Sequence, residues 1–282
     1  MTGRRNRMTD FTSYLARRAI RACLLLVLFW LLATPVNGAA RAAEDYGLEM
    51  DYDLFIGGFL VGRAGFQLQL GGGNYVITAS GRSEGLIDRI IGFRSRASTE
   101  GQVHQGRPKP TLHRHDNLWF GEPRTVRLGF DSAGPRGIEV LPEAVDDDRQ
   151  PVPRDLLGGS VDPLSAALLA GIEVAPESAA EPCRFVLPIF DGRRRYDITF
   201  TPERWENIEG PFFTGKARRC SALTRRIAGF SERPWLPRTE EPEAGRVWFA
   251  RMAPVTLPIV VRLEADIGLG SLVVHLVRFA RK

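Results

Sequence analysis

The sequence has little cysteine and no apolar run long enough to cross a membrane. It contains 3 cysteines in 282 residues, which excludes a small protein held together mainly by disulfides. Its most apolar run, from Ala22 to Ala33, has 12 residues, whereas a spanning helix needs about 20. We find no signature of a known catalytic site. With 44% hydrophobic and 25% charged residues, the chain is neither disordered nor collagen-like, so we expect a globular protein of one large domain or two small ones.

The positive charge of the chain is concentrated at its N-terminus. Seven arginines and one acid, Asp10, give residues 1–42 a charge of +6, which leaves −1 for the remainder out of the total of +5. The pI near 9.4 therefore reflects this segment rather than a basic surface on the rest of the chain. We expect no nucleic-acid partner.

Residues 1–42 have the order of a secretory signal peptide. A basic stretch is followed by the apolar run, then by Pro35 and a series of small residues. Ala40 and Ala42 supply the small-x-small pattern of a cleavage site, so we predict a mature periplasmic chain that begins at Ala43. An uncleaved membrane anchor is the alternative, which the short apolar run disfavours.

Two other export signals match the sequence less well than a cleaved signal peptide. Arg17-Arg18 resembles a twin-arginine signal, but the Ala-Ile-Arg that follows matches such a signal poorly. Cys23 precedes the apolar run, whereas a lipid-modified cysteine would follow it at the cleavage point. We therefore expect the mature chain to have neither a lipid anchor nor a membrane span, and to be a monomer.

The two cysteines of the mature chain, Cys183 and Cys220, are predicted to form a disulfide. They are an even pair, and export places them in an oxidising compartment. Closing a loop of about 37 residues would stabilise the fold by ~4 kcal/mol. Zinc binding is disfavoured, because neither cysteine has a second Cys or a His at ligand spacing. Two buried free thiols are the remaining alternative.

The mature chain has the pattern of antiparallel strands almost throughout. Residues 46–56 alternate between an apolar face and a face of glycine and acids, and glycine-rich turns at 57–58 and 71–74 lead into strands at 59–70 and 75–80. Further strands are predicted at 183–190, 193–201, 218–227, 246–252, 258–265 and 271–279, with Asp191-Gly192 as a hairpin turn. We predict one β-rich domain over residues 43–282, either one sheet or two half-sheets, 43–145 and 183–282, joined by a charged linker at 146–153 and a short helix.

Two short helices are predicted to interrupt the strands. Within residues 84–92 apolar side chains recur at helical spacing, and Gly92 is a suitable stop. Asp162 is a good N-cap for a second helix, and Pro163 suits its first position. Ser165, in the first turn of this helix, is a possible catalytic nucleophile, but the glycines before it do not form a nucleophile elbow. A helix start is therefore the favoured interpretation.

Several turns and element starts share a pattern with a known family. They are the Tyr46/Tyr52 strand with Gly62, the Asp162-Pro163-Leu164-Ser165 helix start, the stretch from Phe190 to Asp197, Val247-Trp248-Phe249, Pro258-Ile259 and Gly268-Leu269. On these features the chain from about Tyr46 to Phe279 resembles the bacterial family known as domain of unknown function 3108, a set of exported proteins without an assigned activity. The resemblance implies a mainly β fold, a strongly curved antiparallel meander that forms an open barrel or spiral-like sheet. It implies no substrate.

Two histidines are candidate metal ligands. His113 and His115 lie two residues apart on a predicted strand, so both imidazoles face one side, with His104 or Asp116 as supplements. Asp116 should face the other way. Two half-exposed strand histidines without a metal are the favoured alternative.

Arginine and tryptophan side chains are candidate ligand contacts. The Arg193-Arg194-Arg195 run could hold a phosphate or carboxylate, although runs of charge are usually solvated. Trp119 and Trp235 lie near glycine or proline and could line an apolar mouth of the sheet, with core packing as the commoner use.

The predicted curvature leads to a functional hypothesis. A curved sheet must fill its concave face with side chains, cover it with a helix or leave it open to a ligand. We expect a non-catalytic cell-envelope protein, without a cofactor, that binds a lipid, a glycan or an envelope protein there. The alternative is a hydrolase of an envelope polymer that uses the His pair or carboxylate pairs, Asp51 with Asp53 or Glu240 with Glu241.

Overall fold

The computed structural model describes residues 46–142, 150–175, 182–230, 243–267 and 270–282. The predicted signal peptide, its cleavage site near Ala42, Trp235, the pair Glu240 and Glu241, and most of the predicted linker lie outside the described residues. Residues 43–282 form one compact unit by themselves, which contains every described strand and helix. Among the described helices, none has the length and apolar character to cross a membrane.

Thirteen described strands form one antiparallel sheet. They are β1 (Tyr46–Ile56), β2 (Phe59–Gly71), β3 (Asn74–Ser83), β4 (Arg94–His104), β5 (Arg107–Trp119), β6 (Glu122–Asp131), β7 (Gly134–Leu141), β8 (Phe185–Phe190), β9 (Arg195–Glu209), β10 (Thr214–Ala228), β11 (Glu243–Ala250), β12 (Ile259–Asp266) and β13 (Ser271–Arg281). Their order is β7-β6-β5-β4-β3-β2-β1-β13-β12-β11-β10-β9-β8. Two meanders, β1–β7 and β8–β13, are thus joined by the pairing of the first strand with the last. The predicted antiparallel meander is confirmed.

The sheet curves into a nearly closed barrel whose two edge strands are β7 and β8. The gap between them is covered by residues 150–161, which include a 3₁₀ turn, Arg154–Leu156. Gly159 donates its N–H to the carbonyl of Ala133 beside β7, and Val161 exchanges backbone hydrogen bonds with β8. Leu157 packs there with apolar residues of β6 and β8. The covering segment therefore shields part of the edge of β8 from pairing with another chain.

Helix α2 (Pro163–Val174) lies inside the barrel, and helix α1 (Gly85–Ile91) lies at one end of it. Asp162 caps α2 by accepting from the backbone N–H groups of Leu164 and Ser165, and Pro163 occupies the first turn, as predicted. Most side chains of α2 are buried, which fits a helix apolar on all sides. Gly171 lies in the last turn of α2, where a Cβ would approach the carbonyl of Pro258 to 2.9 Å. The glycine therefore lets the helix approach the turn before β12.

The disulfide between Cys183 and Cys220 is confirmed. Their Cα atoms are 6.2 Å apart, and both residues are fully buried beside α2. The bridge links the turn before β8 to the middle of β10. One detail differs from prediction: Cys183 lies in the turn before β8 rather than in the strand, with a φ of 75°.

Candidate functional site

The concave side of the sheet is only partly filled by α2, and two adjoining cavities remain. The inner cavity, of about 400 Å³, lies between α2 and strands β1, β2 and β12. The outer cavity, of about 660 Å³, extends from it toward the end of the barrel that holds α1. Both are lined by Leu54, Ala64, Phe66 and Leu164, so the two spaces share walls. Each has the size of a ligand pocket in a protein of this kind.

Small side chains at neighbouring positions of three strands leave this space empty. Ala79 of β3 pairs with Ala97 of β4, and Ala64 of β2 pairs with Gly81 of β3. All four line the outer cavity. Further along the same strands the inward residues are Leu68, Tyr75 and Ile77, which are buried in the core. The change from large to small side chains along the strands is what makes this part of the barrel hollow.

The lining of both cavities is predominantly apolar. The inner cavity is walled by aliphatic and aromatic side chains; of the polar residues at its wall, Tyr52 faces inward, and Gln67 has its side chain on the exposed outer face. The hydroxyl of Tyr52 donates to the carbonyl of Val260 at 3.0 Å, so it is already satisfied. Such a wall offers few hydrogen bonds to a polar ligand and favours an apolar one.

The outer cavity reaches the protein surface at the end of the barrel. Ile87 and Ile91 of α1, Phe93 and Trp119 line it there, and Trp119 is 41% exposed. The ring of Trp119 packs edge-on against Phe93, with ring centroids 5.5 Å apart. Trp119, proposed from sequence as part of an apolar mouth, thus lies at the place where the cavity meets solvent.

A buried polar network closes the opposite wall of the outer cavity. Asp162 is completely buried, and its carboxylate accepts hydrogen bonds from the hydroxyls of Thr99, at 2.6 Å, and Ser165. Since each hydroxyl has one proton, Thr99 must accept from His113 Nδ1–H at 2.7 Å, and Ser165 must accept from the Tyr75 hydroxyl at 2.7 Å. In each of these four hydrogen bonds the donor proton is directed along the chain that ends at the carboxylate of Asp162. The network ties the start of α2 to β3, β4 and β5.

The direction of these hydrogen bonds argues against a nucleophilic Ser165. Its proton is held by Asp162, whereas activation would require a base such as His113 to accept that proton. Burial alone would raise the pKa of Asp162, but the close His113 ring and the hydrogen bonds from Ser165 and Thr99 outweigh this effect and hold the pKa below its ordinary value. Asp162 is therefore a charged structural centre, as the helix-start interpretation requires.

The two histidines face the cavity side by side. Their ring centroids are 6.5 Å apart, and both line the outer cavity. His115 shares a hydrogen bond of 2.9 Å with the hydroxyl of Ser95, and burial, together with the neighbouring His113, lowers its pKa. His113 is buried rather than half-exposed.

Within the described part of the chain, no third metal ligand joins the two histidines. Asp116 faces the outer side, as expected, where it accepts from Thr125. Among the residues that the structure describes, no group of three or more His, Cys, Asp or Glu side chains is arranged to hold a metal ion. Metal binding by His113 and His115 stays a prediction.

The arginine run lies away from the cavity, and each member has protein partners. Arg195 is buried and bonds the carbonyl of Leu156 and the carboxylate of Asp197. Arg194 pairs with Asp191, and Arg193 donates to the carbonyl of Pro142. These contacts fix the 191–194 turn and the segment that covers the barrel edges. Anion binding by the run stays a prediction.

The predicted carboxylate pair on β1 lies on the outer face of the sheet. Asp53 pairs with Arg63 and Asp51 pairs with Arg278, both at 3.2 Å. The pair therefore points away from the hollow interior. Sequence reasoning did not identify the residues that create the hollow, because Ala64, Ala79, Gly81 and Ala97 become neighbours only through strand register.

The fold and its interior define a class of protein: a nearly closed antiparallel β-barrel with an inner helix and an apolar cavity. The chain belongs to the family described as protein of unknown function DUF3108, whose model matches residues 51–277. A search of curated proteins gave no match.

The solved structures that match this chain are distant from it in sequence. A β-barrel-like protein of the DUF1849 family from Brucella abortus is 12% identical with a TM-score of 0.51, and the match covers 84% of this chain and 98% of that one. A lipoprotein candidate from Parabacteroides distasonis is 11% identical with a TM-score of 0.32, covering 83% and 95%. A candidate exported protein with a YmcC-like fold from Bacteroides fragilis is 11% identical with a TM-score of 0.31, covering the same shares. The first of these supports the barrel-like fold and nothing further.

Proposed function

We propose that this chain is a non-catalytic, exported protein of the periplasm that binds a molecule with an acyl chain inside its barrel. The observation that supports this most is the apolar wall shared by the two cavities, formed by Leu54, Ala64, Phe66 and Leu164. An acyl chain would lie along the cavities from the mouth toward α2. The secretory pattern of residues 1–42 is the basis for proposing the periplasm.

A lipid fits this interior better than the other two ligand classes considered from the sequence. A glycan would have to exchange its hydrogen bonds with water for contacts with aliphatic walls, which costs free energy. An envelope protein would bind an outer surface rather than an enclosed space. For the hydrolase alternative, the carboxylate pair Asp51 and Asp53 gives no support, because both face outward in ion pairs. Hydrolysis by His113 and His115, which line the outer cavity, stays a prediction.

The proposal is tested by filling the cavity. Ala97 lines the outer cavity on β4, and the adjacent Ser98 lies on the opposite face of the same strand. Ala97→Phe should weaken the binding of a fluorescent fatty acid to delipidated residues 43–282 by at least about tenfold, since the ring would occupy the space that the chain needs. The matched control Ser98→Phe should bind as the wild type does.

Two results would contradict the proposal. One is a delipidated wild-type protein that binds no fatty acid, phospholipid or other acyl-chain probe. The other is equal weakening by Ala97→Phe and Ser98→Phe, while thermal melting shows that both variants are folded. A soluble glycan that competes with the probe would favour the glycan hypothesis instead.

A further inference from the structure

Large apolar side chains surround the opening of the outer cavity and project into solvent. Phe59 is 78% exposed, Leu86 is 71%, Ile90 is 61% and Phe120 is 58%. We call these four residues the mouth rim. They come from three separate elements: the start of β2, α1 and the β5–β6 turn. Scattered exposed apolar residues are ordinary, but a group at one opening indicates an interaction surface.

Backbone hydrogen bonds hold the elements of the mouth rim together. The N–H of Glu84, just before α1, donates to the carbonyl of Val61 in β2 at 2.9 Å. The N–H of Phe120 donates to the carbonyl of Ile91 at the end of α1 at 3.0 Å. The adjacent side of α1 lines the outer cavity through Ile87 and Ile91. The exposed apolar surface of the rim is thus continuous with the apolar wall of the cavity.

A row of arginines lies on the outer face of the sheet next to the mouth rim. Arg63, Arg82 and Arg94 are direct cross-strand neighbours on β2, β3 and β4. Like charges placed opposite one another destabilise a sheet unless anions compensate them. Carboxylates from Asp53, Glu84 and Asp88 provide part of that compensation.

The arginines of this row are the more exposed partners of their ion pairs. Their side chains are 49–55% exposed, against 20–33% for the paired carboxylates. Arg89, on α1 between Leu86 and Ile90, is also exposed, and no carboxylate within the described ranges pairs with it. The charge that an approaching surface would meet at this end of the barrel is therefore positive.

We propose that this end of the barrel docks onto the surface of a lipid bilayer that contains anionic lipids. The mouth rim enters the acyl region, while the arginine row and Arg89 contact lipid phosphates. Apolar side chains flanked by arginines match the layered chemistry of a bilayer surface, with its apolar interior below charged headgroups. The inference rests on the proposed function, because docking would place the cavity opening where an acyl chain can pass without crossing water.

Vesicle co-sedimentation with residues 43–282 tests the docking surface. The wild type should bind vesicles made of equal parts of phosphatidylcholine and phosphatidylglycerol. It should bind vesicles of phosphatidylcholine alone more weakly, and high salt should weaken its binding to the mixed vesicles. Leu86→Ser with Ile90→Ser should reduce binding by at least about tenfold, because both side chains are exposed and their contribution is hydrophobic. The matched control Val186→Ser with Leu223→Ser replaces exposed apolar residues of β8 and β10 and should leave binding unchanged.

A second pair of variants separates the contribution of charge. Arg82→Gln with Arg94→Gln should weaken binding to the mixed vesicles by about tenfold and reduce its salt dependence. Arg204→Gln with Arg225→Gln removes two exposed, paired arginines from the other half of the sheet and should have no effect. Thermal melting of each variant confirms that the fold is retained.

The outcomes distinguish this inference from the proposed function. If the wild type binds neither vesicle type but does bind a soluble fluorescent fatty acid, the proposed docking surface is refuted and the proposed acyl-chain site is retained. Equal losses in the rim variant and its control would also overturn the docking surface. If the mouth rim instead joins two copies of the chain, the wild type would be a dimer in solution and would not bind vesicles. Leu86→Ser with Ile90→Ser would then convert the dimer to a monomer.

Discussion

Replacement of Asp162 by alanine should be among the most destabilising single changes in this protein. The carboxylate is completely buried and accepts from the backbone of Leu164 and Ser165 and from the hydroxyls of Ser165 and Thr99. Loss of a helix cap costs about 1 kcal/mol. Each buried donor left without an acceptor costs about 1–3 kcal/mol. We therefore expect a loss of roughly 4 kcal/mol or more, a large part of the ~5–15 kcal/mol that stabilises an ordinary domain.

Urea unfolding of residues 43–282 measures this loss, with Asp155→Ala as the control. Asp155 is an exposed acid at the start of a 3₁₀ turn, and its replacement should change stability by less than about 0.5 kcal/mol. Asp162→Asn keeps an acceptor for the helix cap but presents an NH₂ group to a donating hydroxyl, so we expect an intermediate loss of about 2 kcal/mol. If Asp162→Ala cost less than 1 kcal/mol, the network would not fasten α2 to the sheet.

The same network gives a pH dependence with a defined sign. The pKa of Asp162 is below its ordinary value in the folded protein. Its stabilising contribution is therefore present above the unfolded pKa of about 3.9 and is lost as the pH falls through the folded pKa. The wild type should lose more stability than Asp162→Asn over that range. Equal acid sensitivity of the two proteins would refute this assignment.

The remaining predictions concern the disulfide and His115. Replacing Cys183 and Cys220 together by alanine should lower the melting temperature by several degrees. The chain-entropy model gives the bridge a stabilisation of ~4 kcal/mol, and disulfides often contribute less than this model predicts. Two reactive thiols in the unreduced wild type would refute the bridge. Because burial and His113 lower the pKa of His115, the protein should lose stability as the pH falls below about 6.5 toward the folded pKa. Nuclear magnetic resonance titration of the His115 ring checks this, and a pKa at or above 6.5 would contradict it.

Local sequence patterns were sufficient to predict β1–β3 and β8–β13, the first turns and the helix starts, whereas β4, β6 and β7 were not predicted. The alternation in residues 46–56 is a period-two signal, and it appears as β1 with Leu48 and Tyr52 buried. The turn at Gly57 and Gly58 was recognisable because both residues adopt positive φ, which glycine alone adopts at no cost. The start of α2 was predictable because Asp162 is a favourable N-cap residue and Pro163 suits the first helical position.

Features that depend on contacts between distant residues could not be predicted. Nothing local indicates that β1 pairs with β13, or that the loop before α2 covers the barrel edges. The hollow arises because Ala79 and Ala97 meet across two strands. His113 was predicted as a strand histidine on the same face as His115, but its burial follows from Thr99 and Asp162, which are far from it in sequence.

Photo-crosslinking tests the central claim most directly, because it reports where an acyl chain lies. Delipidated residues 43–282 would be loaded with a fatty acid that bears a photoreactive group along its chain, illuminated, digested and analysed by mass spectrometry. We predict labels on residues that line the cavities, above all Phe66, Ala97 and Leu164, and their loss in Ala97→Phe. Labels confined to the outer face of the sheet, or labelling unchanged by that substitution, would contradict an acyl-chain site inside the barrel.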